Sequence, residues 1–96
     1  MPSAYVLANV TVTNPEQYEQ YKKLSTIAMQ VHGAEVCIRG GQVEVLEGDW
    51  TPGRIVLLKF PSMEKARAFY DSPEYQAAKN ARQGAAVMRM LAIEGL

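Results

Sequence analysis

The sequence predicts an α+β fold built on one antiparallel sheet, and three observations support this. Several segments are rich in apolar and β-branched residues and have the length of a strand. Between them lie segments whose apolar residues have helical spacing. Turn or capping residues separate the predicted strands from the predicted helices. The predicted order is strand, helix, strand, strand, two short helices and strand, which is the ferredoxin-like βαββαβ arrangement. The 96 residues are predicted to form a single domain, 1–96.

The first strand and the first helix have clear signals. Residues 4–12, AYVLANVTV, are apolar or β-branched at nearly every position, as in a strand that is covered on both faces. Asn14 suits the cap of a helix, Pro15 suits its first turn, and Gly33 suits the left-handed residue that ends it. The predicted apolar face of this helix consists of Tyr18, Tyr21, Leu24, Ala28 and Val31.

The next segment, residues 35–47, alternates twice around Gly40-Gly41, and its interpretation stays open. The apolar residues change from even to odd positions across the two glycines. A tight hairpin explains this change, because Gly-Gly suits a two-residue turn. One long strand with a glycine bulge explains it equally well, because an inserted residue also changes which face is buried. Only the second alternative gives the ferredoxin-like order.

The second half of the chain repeats the alternation of strand and helix. RIVLLKF at 54–60 is predicted to be a strand, and Ser62 caps the helix that follows. Asp71-Ser72-Pro73 ends that helix, after which Ser72 caps another that is predicted to run to about Gln83. The last strand is AVMRMLAIE at 86–94.

Composition excludes several classes of function. Ten basic residues balance ten acidic ones, whereas a nucleic-acid-binding protein needs a basic surplus. There is neither an 18-residue apolar run nor a signal-peptide pattern, so we expect a cytoplasmic protein without a membrane partner. No phosphate loop, dinucleotide motif or metal-ligand spacing occurs, so we expect neither a cofactor nor a metal. Cys37, the single cysteine, is expected to be a buried and inert thiol.

The apolar pattern of the strands predicts that the protein pairs with a second copy of itself. A sheet with both helical segments on one face leaves its other face open, and that face should then alternate with polar residues. Instead, the strands at 4–12, 54–60 and 86–94 carry apolar residues on both faces. We therefore expect a homodimer that packs sheet on sheet, since an exposed apolar sheet would otherwise favour aggregation.

Several segments resemble one known family. They are RGG at 39–41, EGDW at 47–50, KFPS at 59–62 and YDSPEYQ at 70–76, followed by Arg82. Together they are similar to the family called domain of unknown function 1330, over nearly the whole chain. That family resembles a branch of the dimeric α+β barrel superfamily, so the resemblance implies a dimeric barrel of ferredoxin-like protomers. The superfamily includes cofactor-free monooxygenases, isomerases and ligand-sensing domains, and the fold alone does not choose among them.

Candidate site residues are a histidine, three arginines and a few polar or aromatic side chains. His32, at the end of the first helix, is the candidate general base. Guanidinium groups suit carboxylates, and aromatic side chains suit an apolar pocket with polar tips. The expected substrate-binding residues are Asn9, facing a helix-side cavity, together with Arg39, Trp50, Arg54, Tyr70 and Arg82.

These residues predict a small dimeric protein that binds an organic acid or an aromatic metabolite between helices and sheet. A cofactor-independent enzyme is one form of this function. The alternatives are a non-catalytic binding module and a purely structural homodimer whose arginines are neutralised by internal salt bridges.

Overall fold

The elements follow the predicted order in a computed structural model, which describes residues 2–96. Four strands and three helices are present in this part of the chain. Their bounds are β1 Ala4–Val12, α1 Pro15–Val31, β2 Glu35–Arg39, β3 Arg54–Phe60, α2 Met63–Asp71, α3 Pro73–Ala81 and β4 Ala86–Glu94. No helix within these residues is long and apolar enough to cross a membrane.

The sheet has the order β2-β3-β1-β4, and every neighbouring pair is antiparallel. This topology, with the helices between the strands, is the predicted ferredoxin-like α+β fold. The strand β1 is central, because it pairs with β3 on one side and with β4 on the other. Its even-numbered residues Ala4, Val6, Ala8 and Val10 are buried, so this parity marks the face covered by the helices.

The predicted caps position the helices. The Asn14 side chain accepts a hydrogen bond from the Gln17 amide, and Gly33 has the positive φ, 66°, that closes α1. Ser72 caps α3, which ends at Ala81 instead of near Gln83. One detail of the predicted apolar face is wrong, since Val31 is 60% exposed in the last turn of α1.

Neither alternative for residues 35–47 is correct as stated. The strand β2 ends at Arg39 and pairs with β3, and residues 40–47 belong to no strand. A register shift does occur, but it lies between Val36 and Ile38 and not at the glycines. Cys37 lies at this shift and is exposed, so the expectation of a buried thiol is wrong. The alternation after Gly41 has no neighbouring strand in the protomer to bury it.

An aromatic cluster forms the centre of the core. Phe69 contacts Phe60 and Tyr75, with ring centroids 5.1 and 4.9 Å apart, and Tyr75 also packs edge-on against Tyr21. These rings come from α1, β3, α2 and α3, so they hold the three helices against the inner face of the sheet. Tyr75 is only 1% exposed. The cluster therefore forms one wall of any site between helices and sheet.

The other face of the sheet is open. On β4, Val87, Leu91 and Ile93 are each more than half exposed. Leu91 pairs with Leu7, which pairs with Leu57 on its other side, so one row of leucines crosses three strands on this face. The predicted placement of apolar residues on both faces is confirmed for these strands.

Candidate functional site

A cavity of about 30 Å³ lies between α1 and the inner face of the sheet, enough for about two water molecules. Most of its wall is apolar and includes Val10, Val56, Phe69 and the methionines of β4. The polar side chains on its wall are Tyr18, Tyr21, Lys22, Ser25, Arg39, Arg54 and Tyr75. Three of them are cations, and none of the carboxylates within residues 2–96 lines the cavity.

Arg54 enters the cavity from the start of β3. It pairs with Val10 in the sheet, and this register directs its side chain to the helix-covered face. Its Nε is buried and has no hydrogen-bond partner. The guanidinium lies against Gly40, where an added Cβ would be only 2.7 Å from Arg54 Cζ. Gly40 is therefore needed both for its φ of 72° and for the space that Arg54 occupies.

Arg39 and Lys22 add positive charge at the outer side of the cavity. Arg39 is exposed at the end of β2, and its Nη2 donates to Thr26 Oγ1 at 2.9 Å. Lys22 on α1 is paired with Glu19 at 2.9 Å. Among residues 2–96, the salt bridges are this pair and the His32–Glu74 pair, so neither Arg39 nor Arg54 is neutralised by a carboxylate. The salt bridges expected of a purely structural role are absent from these two arginines.

Two tyrosine hydroxyls meet at the buried side of the cavity. Tyr21 on α1 and Tyr75 on α3 share a hydrogen bond of 2.8 Å between their oxygens. Their other hydrogen-bond neighbours are the thioether sulfurs of Met88 and Met90, at 3.9 Å. Burial, followed by the nearby Tyr75 hydroxyl, raises the pKa of Tyr21 far above its usual value. Tyr21 is therefore protonated at any ordinary pH, and it can act as a neutral donor but not as a base.

Tyr18 also lines the cavity, and its ring centroid is 5.2 Å from that of Tyr21. Burial raises the pKa of its hydroxyl, and the positive charges of Arg54, Arg82 and Arg39 oppose that rise. Tyr18, Arg39 and Arg54 all line the cavity. The cavity therefore combines a positive side with an aromatic and neutral side.

The candidate base His32 lies elsewhere. It follows the last turn of α1, and its Nε2 is 2.9 Å from Glu74 Oε1 at the start of α3. Its hydrogen bond to Glu74 is the largest cause of the lowered pKa of that carboxyl. His32 is not among the residues that line the cavity. Its catalytic role stays a prediction from the sequence.

Asn9 and Trp50 are also outside the cavity lining. Asn9 pairs with Ile55 and Arg89 on the open face of the sheet, and its Oδ1 accepts a hydrogen bond from the Gly53 amide at 2.8 Å. The expectation that Asn9 faces the helix-side cavity is therefore wrong, because the residue parity of β1 places it on the opposite face. Trp50 lies in the segment between β2 and β3 and is 59% exposed.

Tyr70 and Arg82 lie behind the aromatic wall. The Tyr70 ring packs on Tyr75 with centroids 5.3 Å apart, and its hydroxyl accepts a hydrogen bond from Lys79 Nζ at 3.0 Å. The Arg82 guanidinium carbon is 5.7 Å from the ring centroid of Tyr21, and its Nε is buried without a partner. Of the predicted binding residues, the structure thus brings Arg39 and Arg54 together at the cavity. The other four lie around it or away from it.

Sequence reasoning suggested Tyr75 as a pocket residue but missed Tyr21 and Lys22 on the cavity wall and the hydrogen bond that joins Tyr21 to Tyr75. Tyr21 lies on the apolar face of α1, and its spacing is that of an ordinary core residue. The hydrogen bond that distinguishes it joins residues 54 positions apart, and no local pattern encodes such a pair. Only the packing of α3 against α1 brings the two hydroxyls together.

Comparisons with known proteins agree with the topology. A family model described as domain of unknown function (DUF1330) matches residues 3–96. A search of curated proteins finds no match. A protein of unknown function from Rhodopseudomonas palustris is 22% identical, with a TM-score of 0.77, and the match covers 99% of this chain and 83% of that one.

Two further structures share the fold at lower identity. SnoaB, a cofactor-independent oxygenase from Streptomyces nogalater, is 11% identical with a TM-score of 0.65, and the match covers 97% of this chain and 92% of that one. A dimeric protein of unknown function with a ferredoxin-like fold, from Bacteroides fragilis, is 10% identical with a TM-score of 0.66. That match covers 96% of this chain and 95% of the other. At these identities the likeness shows the fold alone.

Proposed function

The chain belongs to the domain of unknown function 1330 family, and we propose that it binds a small organic acid or aromatic metabolite through its carboxylate. The observation that carries this proposal is the unpartnered Nε of Arg54, buried at a cavity whose wall contains three cations and no carboxylate. The Arg54 side chain as a whole is half-buried. A partly desolvated charge without a counter-ion is stabilised by an anion that enters the cavity.

The shape of the guanidinium supports a carboxylate as the ligand. Arginine presents its donors in a planar fork that matches the two oxygens of a carboxylate. Arg39 lies on the strand next to Arg54 and pairs with Val56, two residues further along β3 and on the same face. Two guanidinium groups can therefore approach one carboxylate from neighbouring strands.

The size of the cavity limits the ligand. At about 30 Å³ it has room for about two water molecules, so an organic acid must move part of the wall to enter. Met88 and Met90 line the cavity, and unbranched methionine side chains adapt easily to a new shape. We therefore expect short acids or a single ring, since larger molecules would require the helices to separate.

The test measures the thermal stability of the protein with acetate, propionate and benzoate. A ligand that binds only the folded state raises the melting temperature as its concentration increases. We expect stabilisation of the native sequence and its loss in Arg54→Gln. Arg67→Gln is the matched control, because it removes one positive charge from an exposed position on α2, outside the cavity. Equal stabilisation of both variants, or none of the native protein, would contradict the proposal.

A homodimer is the second part of the proposal. What supports it is the apolar open face, on which Val87, Leu91 and Ile93 are each more than half exposed. A second copy that packs on this face would bury the same residues on both chains. One structure with a similar fold is a dimeric protein, which agrees with this assembly.

Sedimentation at micromolar concentration tests the assembly. We expect twice the chain mass for the native protein and the single mass for Leu91→Glu, because the dimer would bury an unpaired carboxylate in an apolar interface. Val31→Glu changes an equally exposed apolar residue on α1, away from the sheet, and should leave the dimer intact. A native protein that sediments as a monomer would refute this part.

Catalysis without a cofactor is a second candidate function. Its support is the shared fold with a protein described as a cofactor-independent oxygenase. Any acid that stabilises the protein can be incubated with it in air, while dissolved oxygen and the acid are followed. Consumption that requires Arg54 would establish an enzyme, whereas binding without consumption would establish a binding module.

A further inference from the structure

The Tyr21–Tyr75 hydroxyl pair has hydrogen-bonding capacity that the protein uses only weakly. Two hydroxyls carry two hydrogens, and the bond between them uses one. In the described part of the chain, the acceptors within reach of the other hydrogen are the sulfurs of Met88 and Met90, and thioethers are weak acceptors. Both side chains line the cavity, and they are 6% and 1% exposed. A strong donor is thus available where bulk water does not reach freely.

The sheet register relates this pair to the arginines. Arg54 and Met88 both pair with Val10, so the three residues form one row across the inner face of the sheet. Two strand spacings separate the backbones of Arg54 and Met88 by about 10 Å. The guanidinium and the hydroxyl pair extend into the same cavity from the two ends of this row. A small molecule can therefore contact both.

From this arrangement we propose that the Tyr21–Tyr75 pair is an oxygen-binding subsite that selects acids with a second oxygen. This inference rests on the proposed function, because Arg54 holds the carboxylate while the pair donates to a hydroxyl or carbonyl oxygen at the far end of the ligand. The ligand class becomes a hydroxy acid or an oxo acid. A neutral oxygen is required, since the pair has no positive charge to balance a second anion.

The preference for acids with a second oxygen follows from the free-energy cost of leaving a buried hydroxyl without a hydrogen-bond partner. An acid without the second oxygen places an apolar end against the hydroxyl pair and displaces the water that would satisfy it. An acid with that oxygen restores the hydrogen bond. One such bond between neutral groups corresponds to about a tenfold difference in affinity.

The experiment compares matched acids, propionate with 3-hydroxypropionate and benzoate with 4-hydroxybenzoate, by calorimetric titration. We expect the native protein to bind the hydroxylated member of at least one pair about tenfold more tightly. The double variant Tyr21→Phe/Tyr75→Phe keeps both rings and removes both hydroxyls, so this preference should fall to about onefold. The double variant is needed because either hydroxyl alone can still donate.

Tyr5→Phe is the control, because it removes a hydroxyl from the opposite face of the sheet and should keep the preference. A preference that survives in the double variant, or its absence from the native protein, overturns the subsite while the carboxylate site stands. Failure of all four acids to bind overturns both proposals. Circular dichroism verifies that the double variant is folded. A double variant that unfolds is replaced by the two single changes, each of which should reduce the preference only in part, because the remaining hydroxyl still donates but is no longer polarised by its partner.

Discussion

The change Gly40→Ala should move the Arg54 guanidinium at a small cost in the free energy of unfolding, so it tests what the position of Arg54 contributes to ligand binding. Gly40 has a φ of 72°, and an alanine in this left-handed region costs about 1–2 kcal/mol. Its Cβ would also be 2.7 Å from Arg54 Cζ and 2.8 Å from Nη1, so the guanidinium must move. Because these atoms end a flexible side chain, we expect little further loss of stability and a clear loss of ligand binding.

Gly33→Ala is the matched control. Gly33 has a φ of 66°, and an added Cβ there meets no atom within 4 Å. Both variants should therefore lose about 1–2 kcal/mol in the free energy of unfolding, which for a domain of this size lowers the melting temperature by roughly 4–8 °C per kcal/mol. Urea and thermal unfolding measure this loss. Similar losses would show that the strain is in the backbone.

Ligand binding then distinguishes the two variants. A hydrogen-bonded charge pair contributes about 1.5–3 kcal/mol, so displacing Arg54 should weaken benzoate binding by roughly ten- to a hundredfold in Gly40→Ala only. The NMR signal of the Arg54 Nε–H group gives a readout that needs no ligand, and it should shift in Gly40→Ala alone. An unchanged signal together with equal benzoate affinity in both variants would refute the reasoning.

Three further predictions concern stability. Gly53→Ala should cost about 1–3 kcal/mol, because the new Cβ would lie 2.2 Å from the Val10 carbonyl oxygen and the backbone must shift; urea unfolding measures the cost. Ser72→Ala should cost about 1–2 kcal/mol in the same assay, because the hydroxyl caps α3 and is buried. Glu74→Gln should reduce the loss of stability between pH 6 and pH 3. The folded-state pKa of Glu74 is lowered, so its contribution is complete above the unfolded value of 4.5 and disappears as the pH falls below it.

Each of these predictions has a result that would contradict it. A stability of Gly53→Ala equal to that of the native protein would mean that the loop moves without cost. For Ser72→Ala, an unchanged urea midpoint would show that water replaces the cap. If Glu74→Gln and the native protein had parallel pH profiles, the contact with His32 would be absent in solution.

Local signals account for most of the fold that could be predicted. The caps Asn14 and Ser72 accept hydrogen bonds from amides three residues away, so the adjacent sequence is enough to predict them. The end of β2 could not be predicted in the same way. Its alternation continues past Gly41, but a strand also needs a neighbour, and β3 pairs with β2 only as far as Arg39.

The candidate site was predictable only in part, for a related reason. Arg39 and Arg54 are predictable because they lie at the ends of predicted strands and their guanidinium groups suit a carboxylate. Asn9 was assigned to the wrong face, because an apolar strand that is covered on both sides gives no parity signal. The sequence by itself thus determined the order of elements, the helix ends and the apolar character of both sheet faces, all of which depend on neighbouring residues. Only the tertiary structure decided that two arginines share a cavity with Tyr21 and Tyr75, because sheet register and helix packing join residues that are far apart in the chain.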